Sequence, residues 1–152
     1  MSEDRFARVG TIEIAYRIYG PDDGDNLLLV GGIDTTIVTW DPDLVRMLTE
    51  SGFRVLVADN RDSGLSTQLS DERIGRVSFI ARSVKGQLGK LGPTEVGYTL
   101  PDMAADLVGL LETLDMTDVH VVGHSQGGMI AQEIAIASPA VSYTHLTLPT
   151  KA

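Results

Sequence analysis

An apolar strand, a serine between glycines and a helix follow one another directly between Val119 and Ser138. The stretch Gly123-His124-Ser125-Gln126-Gly127 has the G-x-S-x-G spacing that places a serine hydroxyl on a sharp turn from strand to helix. Glycines flank such a turn because side chains there would crowd it. The arrangement requires parallel strands with helices packed on them, and it makes Ser125 the candidate catalytic nucleophile.

The order of the other predicted strands fits a sheet of this kind. Residues 5–9 and Thr11–Tyr19 predict an antiparallel hairpin, the second strand alternating apolar and polar side chains. Leu27–Val30 is a continuous apolar run, typical of a strand buried on both faces, and Arg54–Ala58 predicts another. Strands that alternate with helices predict an α/β fold with a mostly parallel, doubly wound sheet.

Three helices are predicted between these strands. The first is capped by Asp41 with Pro42 at its first position, and its inner face is expected to carry Leu44, Met47 and Leu48. The second starts at a capping box formed by Thr99 and Asp102. Its apolar face carries Met103, Leu107, Leu110, Leu111 and Leu114. The third follows Ser125, with Ile130, Ile134 and Ala137 inward, and a short helix is expected near residues 76–85.

Two backbone amides are the candidate donors to an oxyanion at Ser125. The amide of Gln126 lies at a helix N-terminus, where unpaired donors and the helix dipole favour developing negative charge. The second donor is expected from the turn after Leu27–Val30, where Ile33 is the first candidate and Gly32 the next. Gly128 is expected to let the third helix pack close to the strands.

Three further residues are candidate substrate contacts, each with a structural alternative. Asp34 either touches substrate or forms a turn. Trp40 either lines an acyl pocket or buries the start of the first helix, and His124 is pinned beside the nucleophile with a shaping or pocket role.

Other polar residues favour structural interpretations. A strand is followed at its carboxyl end, where α/β sheets bind ligands, by Asp59, Arg61 and Asp62. We favour a structural interpretation, in which these residues form a salt-bridged loop that braces the oxyanion turn. His120 is expected to be a core histidine. The histidines match no familiar metal spacing, and the lysine of a phosphate-binding loop is missing, so we expect neither a metal nor another cofactor.

Charge and composition exclude several classes of partner. The formal net charge of −9 argues against nucleic acid and against an anionic membrane surface. There is no cysteine, which excludes disulfides and thiolate catalysis. No apolar run has the length of a membrane span, and the acidic start lacks a signal peptide, which favours the cytoplasm. The sequence indicates no oligomeric state.

The last residues have a different character. Val141–Thr150 resembles, over all ten residues, one reading frame of a transposon-derived adapter used in sequencing libraries. We therefore expect residues 1–140 to be a partial domain and residues 141–152 to be a non-native tail. The alternative is a native sixth strand, which the β-branched and aromatic residues of the segment permit. On the first interpretation the strand before Ser125 is left as an unpaired edge.

From Phe6 to Pro139 the chain resembles the amino-terminal half of an α/β-hydrolase, most closely the small bacterial esterases of the aclacinomycin-methylesterase type. The motifs that carry the resemblance are Leu27–Ile33, Asp59–Ser66, Tyr98–Met103 and the turn at Ser125. The resemblance implies hydrolysis of a carboxylic ester of a small molecule. The usual His-Gly before the oxyanion residue is Gly31-Gly32 here, so the sequence does not show which polar group supports that loop.

The resemblance also implies a catalytic acid and a histidine, in that order, after the serine. Only His145 follows Ser125, and it lies in the unusual tail, too near to match. We therefore expect a truncated chain that is itself inactive and poorly soluble. The alternatives are a lactonase, a peptidase or a carbon–carbon bond hydrolase with the same machinery, and a non-catalytic binding protein with this fold.

Overall fold

The computed structural model describes residues 3–69, 97–138 and 142–144. The predicted short helix near residues 76–85 lies outside these ranges. The strands and helices are, in chain order, β1 (Arg5–Val9), β2 (Ile12–Tyr19), β3 (Asp25–Val30), α1 (Pro42–Glu50), β4 (Phe53–Ala58), α2 (Leu100–Thr113), β5 (Val119–Gly123), α3 (Gln126–Ala137) and β6 (Ser142–Thr144).

The described strands form one mixed sheet in the order β1-β2-β4-β3-β5-β6. β1 and β2 form the predicted antiparallel hairpin, and β2 also runs antiparallel to β4. β3 lies between β4 and β5 and runs parallel to both. Val30 is in register with Gly123, so the chain leaves β3 and β5 at the same edge of the sheet. The predicted α/β architecture is confirmed.

Helices cover both faces of this sheet. On one face α2 and α3 bury an apolar cluster with the strands, in which Leu28, Leu110 and Ile134 are fully buried. On the other face α1 contributes Val45 to a smaller cluster with Leu29 and Val57. The central strands are therefore buried on both sides, which is why Leu27–Val30 is apolar at every position.

The start of α1 is as predicted, but its inner face is not. Asp41 accepts a hydrogen bond from the Asp43 amide at 2.9 Å, and Pro42 is the first helical residue. The buried residue is Val45, whereas Leu44 and Met47 are 40% and 60% exposed. The predicted inner face is thus wrong for Leu44 and Met47. A helix with apolar residues on adjoining stripes has two possible inner faces, and docking against the sheet selects one.

The other two helices follow their predictions more closely. The capping box of α2 is present, and the hydrogen bonds from Thr99 hold the pKa of Asp102 below its usual value. Met103, Leu107, Leu110 and Leu111 are buried. Ile130 and Ile134 of α3 are buried, but Ala137 is exposed. The predicted inward position of Ala137 is therefore wrong.

β6 lies in the segment of unusual composition. Its backbone runs parallel to β5, with Ser142 opposite Val119 and Thr144 opposite Val121. The expectation that β5 is an unpaired edge is therefore wrong for Val119–Val121. This pairing with β5 is the arrangement that the alternative of a sixth strand requires. The adapter origin of residues 141–152 stays a prediction. Within the described ranges, no helix combines the length and apolarity needed to cross a bilayer.

Candidate active site

Ser125 occupies a strained turn between β5 and α3. Its φ of 57° and ψ of −123° are rare for a residue with a side chain and cost about 1–3 kcal/mol. It precedes the first residue of α3, but its side chain makes no capping hydrogen bond to the helix. The residue is exposed at the edge where β3 and β5 end. The turn predicted from the G-x-S-x-G spacing is present, and it leaves the hydroxyl accessible.

The glycines on either side of Ser125 are required by close backbone contacts. A Cβ at Gly123 would lie 2.2 Å from the carbonyl oxygen of Gly127, and a Cβ at Gly127 would lie 2.1 Å from that of Val30. At Gly128 the nearest atom would be 3.5 Å away, an ordinary contact. The expectation that Gly128 permits the close helix packing is therefore wrong, and Gly127 is the residue that does so.

The turn after β3 lies directly against the serine. A Cβ at Gly32 would be 2.9 Å from the Cβ of Ser125 and 3.3 Å from its Oγ. The His124 amide also donates a hydrogen bond to the Val30 carbonyl at 3.1 Å, which ties the ends of β3 and β5 together. The structure thus brings together the serine and the loop that were assigned to one site from the sequence.

The peptide that carries the Ile33 amide has a defined orientation. The Gly32 carbonyl accepts a hydrogen bond from the Thr35 amide at 3.2 Å. In a trans peptide the N–H points opposite to the carbonyl, so the Ile33 N–H points away from Thr35. No residue in the described part of the chain accepts a hydrogen bond from the Ile33 or the Gln126 amide. Neither amide is therefore paired within the described residues, and their oxyanion role stays a prediction.

Asp59 braces this loop from β4. It is 1% exposed, and its two carboxylate oxygens accept hydrogen bonds from the Ile37 amide at 2.7 Å and the Leu65 amide at 2.8 Å. Burial raises the pKa of Asp59, and the two amide hydrogen bonds oppose that rise. The carboxylate therefore joins the loop after β3 to the loop after β4, as the favoured bracing interpretation expects.

Arg61 attaches the loop after β4 to α2. Its guanidinium forms two short hydrogen bonds to the Asp106 carboxylate, at 2.6 and 2.7 Å, with both side chains largely buried. It also lies 5.0 Å from the centre of the Tyr98 ring. Asp106 raises the pKa of Arg61, and burial raises the pKa of the Tyr98 hydroxyl. The loop is salt-bridged as predicted, but its partner is Asp106 of α2, so this ion pair braces the loop against α2.

Comparison with known proteins decides the family. The family model described as the alpha/beta hydrolase fold matches residues 25–141. This chain belongs to the α/β-hydrolase fold family. A relative named "Putative carbamate hydrolase RutD" from Variovorax paradoxus is 30% identical over 125 residues, which cover 82% of this chain and 38% of that protein.

Solved structures show the same partial coverage. A hydrolase from Pseudomonas aeruginosa superposes with a TM-score of 0.70 at 28% identity, over 91% of this chain and 43% of that one. The enol-lactonase from Burkholderia xenovorans superposes with a TM-score of 0.69 at 26% identity, over 93% of this chain and 45% of that one. The chain therefore spans about two fifths of the length of such α/β-hydrolases.

The predicted substrate contacts occupy different places in the hydrolase fold. Asp34 is exposed with a φ of 65°, a turn conformation directly after Ile33. Trp40 is half-buried against the cluster beneath α1, which places it in the packing at the start of that helix. His124 is exposed beside Ser125. Contact of any of the three with substrate stays a prediction.

The described histidines lie in or directly after β5 and precede Ser125. The ring of His120 meets that of Phe53 edge-on, with ring centres 5.6 Å apart. His120 is half-buried, so the expected fully buried core position is wrong. His145 lies outside the described residues. Among the residues that the structure describes, no group of three or more histidines, aspartates or glutamates is placed to hold a metal ion.

Two residues of the site were missed from the sequence. Asn60 is buried and donates a hydrogen bond to the Gly31 carbonyl at 3.1 Å. Asp106 is the buried partner of Arg61. A signal for Asp106 existed, because a carboxylate on the apolar face of α2 needs a buried partner. No sequence signal distinguishes Asn60 from an ordinary loop asparagine.

Proposed function

We propose that the complete protein is a serine hydrolase that cleaves a carboxylic ester of a small molecule through an acyl-enzyme. The observation that carries the proposal is the exposed Ser125 at a φ of 57°, with Gly32 packed against its side chain. A strained conformation persists only where the surrounding structure holds it, and such strain is concentrated at functional sites. Membership of the α/β-hydrolase family supports hydrolysis as the reaction.

The proposed chemistry proceeds in two steps. The Oγ of Ser125 attacks the ester carbonyl carbon while a histidine base accepts its proton. The carbonyl oxygen becomes an oxyanion that accepts hydrogen bonds from the amides of Gln126 and Ile33. The alkoxide then leaves with the proton from the histidine, and water cleaves the acyl-enzyme by the same route in reverse.

The base and its acid partner are proposed to come from a carboxyl-terminal portion beyond this chain. By itself the chain of 152 residues is expected to hydrolyse no ester. Loss of either the serine or the histidine costs subtilisin about a millionfold in kcat. Within the esters we favour a methyl ester, because the sequence most resembles the aclacinomycin-methylesterase type of small bacterial esterase.

Two classes of alternative use the same site, namely other reactions of the nucleophile and binding without catalysis. The similarity to an enol-lactonase favours a cyclic ester as one alternative substrate, and peptide or carbon–carbon bond cleavage uses the same nucleophile. A non-catalytic binding protein would keep the pocket but leave Ser125 unreactive. The reactivity of the hydroxyl separates these classes, because every catalytic alternative needs it and the binding role does not.

The test is covalent labelling of the complete protein with a fluorophosphonate probe. We expect one labelled serine, and we expect Ser125→Ala to abolish the label because no other described serine occupies such a turn. Ser138→Ala, at the other end of α3, is the matched control and is expected to label normally. An unlabelled unsubstituted protein, or a label that survives Ser125→Ala, would contradict the proposal.

A further inference from the structure

We propose that Asn60 is a positioning residue for the oxyanion loop, whose side-chain amide holds the Gly31 carbonyl and thereby orients the backbone that presents the Ile33 amide to Ser125. This inference rests on the proposed function. The Nδ2 of Asn60 donates to the Gly31 carbonyl at 3.1 Å across 29 residues of sequence, and Asn60 is 6% exposed. It supplies the polar support of a loop in which glycine occupies the usual histidine position.

Hydrogen bonds, rather than side chains, define the conformation of this loop. Gly31 and Gly32 have no side chains to pack, so their peptides are held by what their carbonyls accept. Asn60 holds the Gly31 carbonyl, and the Thr35 amide holds the Gly32 carbonyl at 3.2 Å. Removal of the Asn60 donor leaves the carbonyl of a buried residue without that partner, and an unpaired buried carbonyl costs free energy. Rotation of the peptide toward another donor would relieve this cost.

Such a rotation would reach Ser125, because the backbones are in close contact. A Cβ at Gly127 would lie 2.7 Å from the Gly31 carbonyl oxygen, and one at Gly32 would lie 2.9 Å from the Cβ of Ser125. A shift of the loop toward Ser125 or α3 would therefore change the geometry at the hydroxyl. Misplacement by about 1 Å can cost a hundredfold in rate, and a partial shift is expected to cost about tenfold.

The decisive comparison is between two asparagines whose side-chain hydrogen bonds lie at opposite ends of β3. Asn60→Leu removes the donor to Gly31 while keeping the number of side-chain heavy atoms. Asn26→Leu is the matched control, because its Nδ2 donates to the Thr117 carbonyl at 2.9 Å, at the end of β3 remote from Ser125. In the complete protein, kcat for p-nitrophenyl acetate and the rate of fluorophosphonate labelling are expected to fall about tenfold in Asn60→Leu alone, with KM within about twofold.

Asn60→Asp supplies a second readout, which a merely structural role would not move over the pH range in which circular dichroism shows the variant fully folded. The introduced carboxyl donates to the Gly31 carbonyl only when protonated. The labelling rate of Asn60→Asp, divided by that of the unsubstituted protein at the same pH, is therefore expected to fall as the pH rises through the pKa of the introduced group. This ratio also decides the matter if Asn60→Leu does not fold.

The outcomes separate this inference from the function on which it rests. Three outcomes would overturn the positioning role alone. They are equal labelling rates for Asn60→Leu and the unsubstituted protein, equal losses of rate in Asn60→Leu and Asn26→Leu, and a pH-independent labelling ratio for Asn60→Asp. Failure of the unsubstituted protein to label at Ser125 would overturn the proposed function and this inference with it.

Discussion

We expect Ser125→Gly to be more stable than Ser125→Ala, although both substitutions remove the proposed nucleophile. Ser125 has a φ of 57° and a ψ of −123°, where a Cβ is strained and glycine is not. Alanine keeps the Cβ and therefore the strain. The comparison isolates the backbone strain of the turn, because neither variant has a hydroxyl.

The expected magnitude follows from two opposing contributions. Holding a residue with a side chain in this region costs about 1–3 kcal/mol in the folded state. Glycine loses about 0.5–1 kcal/mol more conformational entropy than alanine on folding. The difference favours Ser125→Gly by about 1 kcal/mol, which corresponds to a rise in Tm of about 2–4 °C for a protein of 150–250 residues.

Urea unfolding followed by circular dichroism measures this difference, provided that the slope of the transition is equal in the two variants. Ser51 is the matched control, since it terminates α1 with a φ of −83°. There the order is expected to reverse, with glycine about 0.5–1 kcal/mol less stable than alanine. If Ser125→Gly were no more stable than Ser125→Ala, the turn would not be strained and the reasoning would be refuted.

Two further predictions concern the packing around the site. Gly127→Ala places a Cβ 2.1 Å from a carbonyl oxygen of β3 and is expected to lower the free energy of unfolding in urea by about 1–3 kcal/mol. In the neighbouring Gly128→Ala the nearest atom is 3.5 Å from the new Cβ, and this variant is expected to be neutral or stabilising. Equal costs in the two variants would contradict the assigned contacts. Arg61→Gln leaves the largely buried Asp106 unpaired and is expected to cost about 3 kcal/mol. The exposed control Arg46→Gln is expected to cost less than about 0.5 kcal/mol, and a similar loss in both would show that burial is not what strengthens the Arg61 pair.

Local sequence patterns were sufficient for most of the fold. The apolar run Leu27–Val30, the capping box at Thr99 and the glycines around Ser125 are short-range signals, and each is present as predicted. They work because burial on both faces, an unpaired helix N-terminus and a tight turn each restrict the residue types that can occupy them. Where a helix had two adjoining apolar stripes, as in α1, the same signals did not select the buried one.

By itself the sequence determined the order of the strands and helices, the turn at Ser125 and the α/β class, since these depend on neighbours within a few residues. Only the tertiary structure decided that Asn60 holds Gly31, that Asp106 pairs with Arg61 and that Gly127 is the point of closest approach. Each of these contacts joins residues that are distant in sequence. Their partners are set by how β3, β4 and β5 align at one edge of the sheet, which no local pattern encodes.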